Sequence, residues 1–195
     1  MPRLTLAALA VLSILIAACE TKVERPRYAA ITFAHQEPIT LNVATLRIVP
    51  AYQQTGVPPH VEHEFPVNPL ETVKRWGQDR LSPIGQSGEI VVTIHEASVV
   101  EVALEKETGL TGIFTEDQSE RYDAVIKVTI QANDPTRGLT ASTSAETKRS
   151  RTVPEDLTLN EREAVWYALT EALMRDVDKQ LESSVRQHLA GFLAQ

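Results

Sequence analysis

Cys19 carries the only thiol in this chain, so the sequence offers one soft nucleophile and no intramolecular disulfide. A thiolate can be acylated, oxidised or bound to a metal, and the residues around it decide which. The second candidate for chemistry is Pro59-His60-Val61-Glu62-His63-Glu64. Two imidazoles and two carboxylates within five residues are ligand types for zinc or another divalent ion. The Pro-rich surroundings read as a loop, however, so the spacing fixes no coordination geometry, and a polar surface loop accounts for it equally well. His95 beside Glu96 resembles an acid–base pair only on paper. Neighbours on a strand point to opposite faces, which leaves His95 as a histidine on a sheet face. Lys148-Arg149-Ser150-Arg151 is the one concentrated basic patch, suited to lipid headgroups, to an acidic partner or to a solvated strand end. His35 and His188 have no partner pattern. There is no Gly-x-Ser-x-Gly elbow, no Ser-x-x-Lys and no Gly-rich phosphate loop. The expectation is a protein that is not an enzyme and needs neither cofactor nor metal.

The segment that positions Cys19 begins with Arg3, continues apolar from Leu4 to Ile16 and closes on Ala17-Ala18. That order of charged, apolar and small residues is a secretory signal peptide. At about 15 residues the apolar run is too short to cross roughly 30 Å of hydrocarbon. Ile16-Ala17-Ala18-Cys19 resembles the lipobox of bacterial lipoproteins. The resemblance implies cleavage before Cys19 and lipid attachment at its thiol, with acyl chains at about 0.8 kcal/mol per buried CH₂ tying the protein to a membrane. It also implies a place in the cell envelope, facing the periplasm. Glu20, rather than the aspartate that retains lipoproteins in the inner membrane of enteric bacteria, follows the cysteine and points to the outer membrane.

Asp and Glu outnumber Lys and Arg by 26 to 19, a net charge of −7, and loss of Arg3 with the leader makes the mature chain one unit more acidic. Nucleic acid wants a basic face and is excluded. The acyl anchor, not charge, has to carry attachment to the membrane. Three regions follow: a signal peptide over 1–18, a flexible tether over 19–38 with Pro26 and Pro38, and one domain over 39–195.

Within that domain, alternation predicts a strand over 39–49 whose parity changes midway. A loop with Gly56, Pro58, Pro59 and Pro66 comes next. Asn68-Pro69-Leu70-Glu71 opens a helix carrying Val73, Trp76 and Leu81 on one stripe. The longest strand signal covers 89–107 with a bend near Ala97. Residues 122–132 and 139–151 alternate on either side of a polar turn at 133–138. Thr158-Leu159-Asn160-Glu161 is a second capping box. The helix behind it has an apolar stripe through Val165, Leu169, Leu173, Val177, Leu181, Val185, Leu189 and Phe192. At 1.5 Å per residue it would be about 50 Å long, longer than one small sheet covers. The fold class is therefore α+β: a largely antiparallel sheet of about four strands, with two helices packed on one face, the C-terminal one long.

This order of a lipobox, a short helix, an antiparallel meander and a long C-terminal helix resembles small envelope lipoproteins, namely the auxiliary lipoproteins of ABC-type transporters and the assembly lipoprotein of the lipopolysaccharide translocon. The resemblance spans 39–193 as a pattern of elements and carries over no functional residue except Cys19. It implies a non-catalytic, membrane-anchored protein that binds an envelope protein partner in assembly or transport. Two surfaces fit such a partner: an open edge of the strand at 89–107, and an uncovered stretch of the terminal helix. A binder of an apolar small molecule or lipid held between sheet and helices is the alternative, and a metal-dependent enzyme using His60 and His63 is the third reading.

Overall fold

Two strands precede a helix, two follow it, and each of the first pair finds its partner in the second. The computed structural model describes residues 26–104, 118–154 and 156–194. The order is β1 (Ile39–Leu41), β2 (Thr45–Pro50), α1 (Pro69–Arg80), β3 (Leu81–Pro83), β4 (Glu89–Ala103), β5 (Gln118–Asp134), β6 (Leu139–Pro154) and α2 (Leu159–His188), then a 3-10 turn at Ala190–Phe192. β1 runs parallel to β3 as a small sheet, and the main sheet has the order β2-β4-β5-β6. β2 is parallel to β4, and the other pairings are antiparallel. The leader, with Cys19, lies outside the described residues.

The strand expected over 39–49 is two strands in two sheets. Between them, Asn42 N–H donates to the Phe192 carbonyl at 2.7 Å and Ala44 N–H to Ser87 at 3.0 Å. The change of parity in the sequence marks this step from one sheet to the other. The bend in β4 is a bulge between Ile94 and Glu96. Its extra residue keeps Ile90, Val92 and Ile94 on the same buried face as Ala97 and Val99, all at 0 % exposure. Tyr122, Ala124, Ile126, Val128, Ile130 and Ala132 of β5 bury their side chains on that face too.

Both helix starts are capped as the sequence predicts, with one difference. Asn68 Oδ1 accepts from Leu70 N at 3.0 Å and Glu71 N at 3.3 Å. Glu71 does not return the bond but pairs with Lys74 at 2.8 Å. At α2 the box is reciprocal: Glu161 N donates to Thr158 Oγ1, and Thr158 N donates to Glu161 Oε2.

The terminal helix does not outrun its sheet. With 17 residues in β5 and about 3.4 Å per residue, the sheet reaches roughly 57 Å, whereas the 30 residues of α2 extend about 45 Å. Its stripe from Leu169 to Leu189 is buried throughout. The open edge expected on β4 is also closed. β2 covers Glu89–Ile94, and beyond the bulge Val61 N–H donates to the Val99 carbonyl and Glu101 N–H to Pro59, both at 2.9 Å. Among the described residues the long unpaired edge is that of β6.

The later half of the segment expected as a tether is packed. Tyr28 stacks on Tyr167 at 5.1 Å, Phe33 is buried, and Phe33 N–H donates to Asp79 at 2.8 Å. Its two prolines and mixed charges hid aromatic side chains that fit the helix layer. No described helix is long and apolar enough to cross a membrane.

Candidate functional site

The His60 loop is a structural clamp. Glu62 is fully buried. Its carboxylate accepts from Tyr52 Oη at 2.6 Å and from Val99 N at 3.1 Å, with His60 Nδ1 at 3.8 Å. Burial first, then the bond to Glu62, pushes the Tyr52 phenol well above its ordinary range. His63 points to Glu64 instead, at 3.7 Å. The structure thus separates the two imidazoles expected to act together, and among the described residues no three His, Cys, Asp or Glu side chains converge to hold an ion. Phe65 continues the clamp by stacking on Trp166 at 5.0 Å, with Tyr122 edge-on to both.

His95 lies on the open face of the sheet, where Nε2 meets Thr129 Oγ1 at 3.0 Å. Glu96 turns elsewhere and accepts from Ser98 at 2.8 Å. This is the sheet-face histidine that the sequence predicts.

A second buried ionic group was not visible in sequence. Arg80, 1 % exposed, donates through Nε to Asp178 Oδ1 at 2.8 Å, and Trp76 Nε1 donates to the same oxygen at 2.8 Å. Its other nitrogens meet Glu182 and the Glu37 carbonyl. α1, α2 and the segment before β1 are fastened at this one guanidinium. The only signal was a charge on each helix stripe, Arg80 in line with Val73 and Trp76, and Asp178 beside Val177.

The basic patch splits by strand parity. Lys148 lies on the open face beside Glu146 at 2.7 Å. Arg149 lies on the helix side, with Nε 2.6 Å from Asp176 of α2; that bond holds the Asp176 carboxyl below its ordinary value. Arg149 and Arg151 form one bank of an open groove of about 360 Å³ between the end of β6 and the first half of α2. Ala164, Ala168, Leu169 and Ala172 line the other bank. Every apolar group in this groove is on α2: Val165 and Leu169 belong to the apolar stripe, and Ala164, Ala168 and Ala172 form the flank beside it. Arginine against alanine and leucine is a surface for an amphiphile with a negative end.

No family model and no curated protein matches this chain. Among solved structures it is similar to a minor lipoprotein of Acinetobacter baumannii, at 15% identity over 78% of this chain and 96% of that one, with a TM-score of 0.39. It is also similar to the rare lipoprotein B of Shewanella oneidensis, at 13% identity over 71% and 92%, with a TM-score of 0.37. At these scores neither a role nor a residue transfers.

Proposed function

We propose that this chain is a lipoprotein of the bacterial cell envelope, non-catalytic, that binds an envelope protein partner in assembly or transport. On this reading residues 1–18 are removed and Cys19 is acylated. The domain then faces the periplasm, with the outer membrane favoured over the inner. The observation that carries it is Cys19 itself, a lone cysteine closing a charged, apolar and small-residue leader. Only eight residues separate it from Tyr28, the first aromatic docked on the domain. The non-catalytic reading is supported by where the buried polar groups go. Glu62, Arg80 and Asp178 spend their bonds holding loops and helices to the sheet. With the β4 edge and the α2 stripe covered, the partner is expected at the unpaired edge of β6.

Intact-mass analysis of the detergent-extracted protein tests the anchor. It should start at Cys19 and carry the mass of acyl chains, and Cys19→Ser should leave the membrane fraction or remain unprocessed. A mature protein beginning at Met1, or bearing a free thiol, overturns the reading. A photo-reactive residue at Ser150 or Thr152 should cross-link one envelope protein in cells. Cross-links to no protein there would remove the partner role from this edge.

The groove beside β6 favours a second reading, in which the bound molecule is an apolar ligand or lipid.

A further inference from the structure

We infer that the groove between β6 and α2 binds one anionic glycerophospholipid from the membrane that holds the chain, its phosphate on Arg149 and Arg151 and an acyl chain along Ala164, Val165, Ala168 and Ala172. This rests on the anchored reading above and goes further in naming the ligand and its seat.

Charge complementarity is the first argument. The chain as a whole is acidic, at −7, yet this bank of the groove is cationic. Arg149 uses Nε on Asp176, and a guanidinium offers five N–H donors in a planar fork, so further donors remain for a phosphate. Arg151 stands two residues on, on the same side of the strand, so both guanidinium groups border one opening. Arginine suits phosphate because the fork matches two oxygens at once. The other bank is apolar and open to solvent, with Ala164 and Ala168 exposed. Phosphate beside acyl chain is the same juxtaposition in the ligand.

Reach is the second argument. Tyr28 stacks on Tyr167, and Tyr167 belongs to the same turn of α2 as Ala164 and Ala168. The nine Cα–Cα steps from Cys19 to Tyr28 span at most about 30 Å when fully extended. An acylated Cys19 therefore keeps this end of α2, and the groove with it, within one tether length of the headgroups. The far end, near His188, lies about 30 Å further along the helix axis. An acidic peptide lying in the groove itself, rather than paired to the β6 edge, is the competing occupant; it accounts for the arginines but not for the apolar bank on the helix.

The test is native mass spectrometry of the full-length protein in mild detergent, incubated with palmitoyl-oleoyl phosphatidylglycerol or with the matching phosphatidylcholine. One retained phosphatidylglycerol is expected, with at least about tenfold preference over phosphatidylcholine, the equivalent of one charge-assisted contact at roughly 1.5 kcal/mol. Arg151→Gln should cut that retention about tenfold. Ala168→Trp, at an exposed position, should fill the groove and abolish it, with the melting curve unchanged in both variants. Equal retention by Ala168→Trp and the wild type, or no headgroup preference, overturns the inference. So does a photo-reactive group at position 168 that captures a protein and no lipid in cells. Cys19→Ser separates the two readings: it should lose vesicle flotation and keep the bound phosphatidylglycerol. An unmodified Cys19 in the wild type, with the lipid still bound, sinks the anchor and leaves the groove standing.

Discussion

Replacing Asp178 by alanine removes the one acceptor shared by Trp76 and Arg80, both of which lie at the contact of the two helices. The Arg80 side chain is 2 % exposed, so water cannot take over the lost bond. Breaking a buried ion pair from one side typically costs about 3–5 kcal/mol. Glu182 and the Glu37 carbonyl still hold the other guanidinium nitrogens, which puts the expected loss near the lower figure, about 3 kcal/mol. For a domain of this size that corresponds to a fall in Tm of roughly 6–12 °C, read by far-UV circular dichroism. Asp178→Asn keeps an acceptor oxygen and loses the charge, so it should fall between wild type and alanine. The double variant Arg80→Met/Asp178→Leu leaves no buried charge unpaired and should recover part of the loss, the remainder being the Trp76 Nε1–H left without its acceptor. If Asp178→Ala melts within a degree or two of wild type, the guanidinium is not the fastening point described above.

Gly88 has φ of 78°, and a Cβ there would lie 2.8 Å from the Asn133 carbonyl oxygen. Gly88→Ala should therefore cost about 3 kcal/mol through left-handed strain and the clash together, measured as a lowered urea midpoint. Asp134 accepts from Ser87, Thr136 and Arg137, and the Arg137 bond above all lowers its carboxyl from 3.8 to about 2. Because the folded value lies below the unfolded one, its contribution is complete above about pH 4 and is lost as pH falls toward 2. Acid titration of stability should show that slope in the wild type and not in Asp134→Asn; parallel curves for the two would refute the assignment.

Local signals carried most of the fold. The 122–132 alternation, the polar turn after it and the Thr158 capping box each depend on neighbours a few residues away; the strand and the cap appear where the pattern put them, and the turn is shorter, over 135–138. What escaped the sequence depends on distant pairing. Val61 and Pro59 cover the β4 edge from 38 to 42 residues upstream in the chain, and nothing in a Pro-rich loop announces that partner. The length of the sheet was underread because the strand ends, 118–121 and 133–134, are polar and break the alternation while the ladder continues. That shortfall produced the expectation of a bare helix end. The groove was half legible. Arg149 and Arg151 stood out as a basic patch, but their side of the strand, and the alanine bank opposite, required the α2 packing. The reading of Cys19 rests on a linear string that lies outside the described residues.

The parallel pairing of β1 with β3, and its hydrogen bonds to the last residues, sets an order on vectorial synthesis. β5 and β6 are joined by four residues and can zip as soon as both exist, since closing a short loop sacrifices little chain entropy. β1 must wait for β3 across the whole of α1, and then for Ala194 N–H to reach the Thr40 carbonyl and Leu193 to bridge Leu41. The earliest strand to leave the ribosome is thus the last to be satisfied. Ile39 and Leu41, both buried in the finished protein, therefore depend on β3 and on the 190–194 segment together, and neither lies near them in sequence.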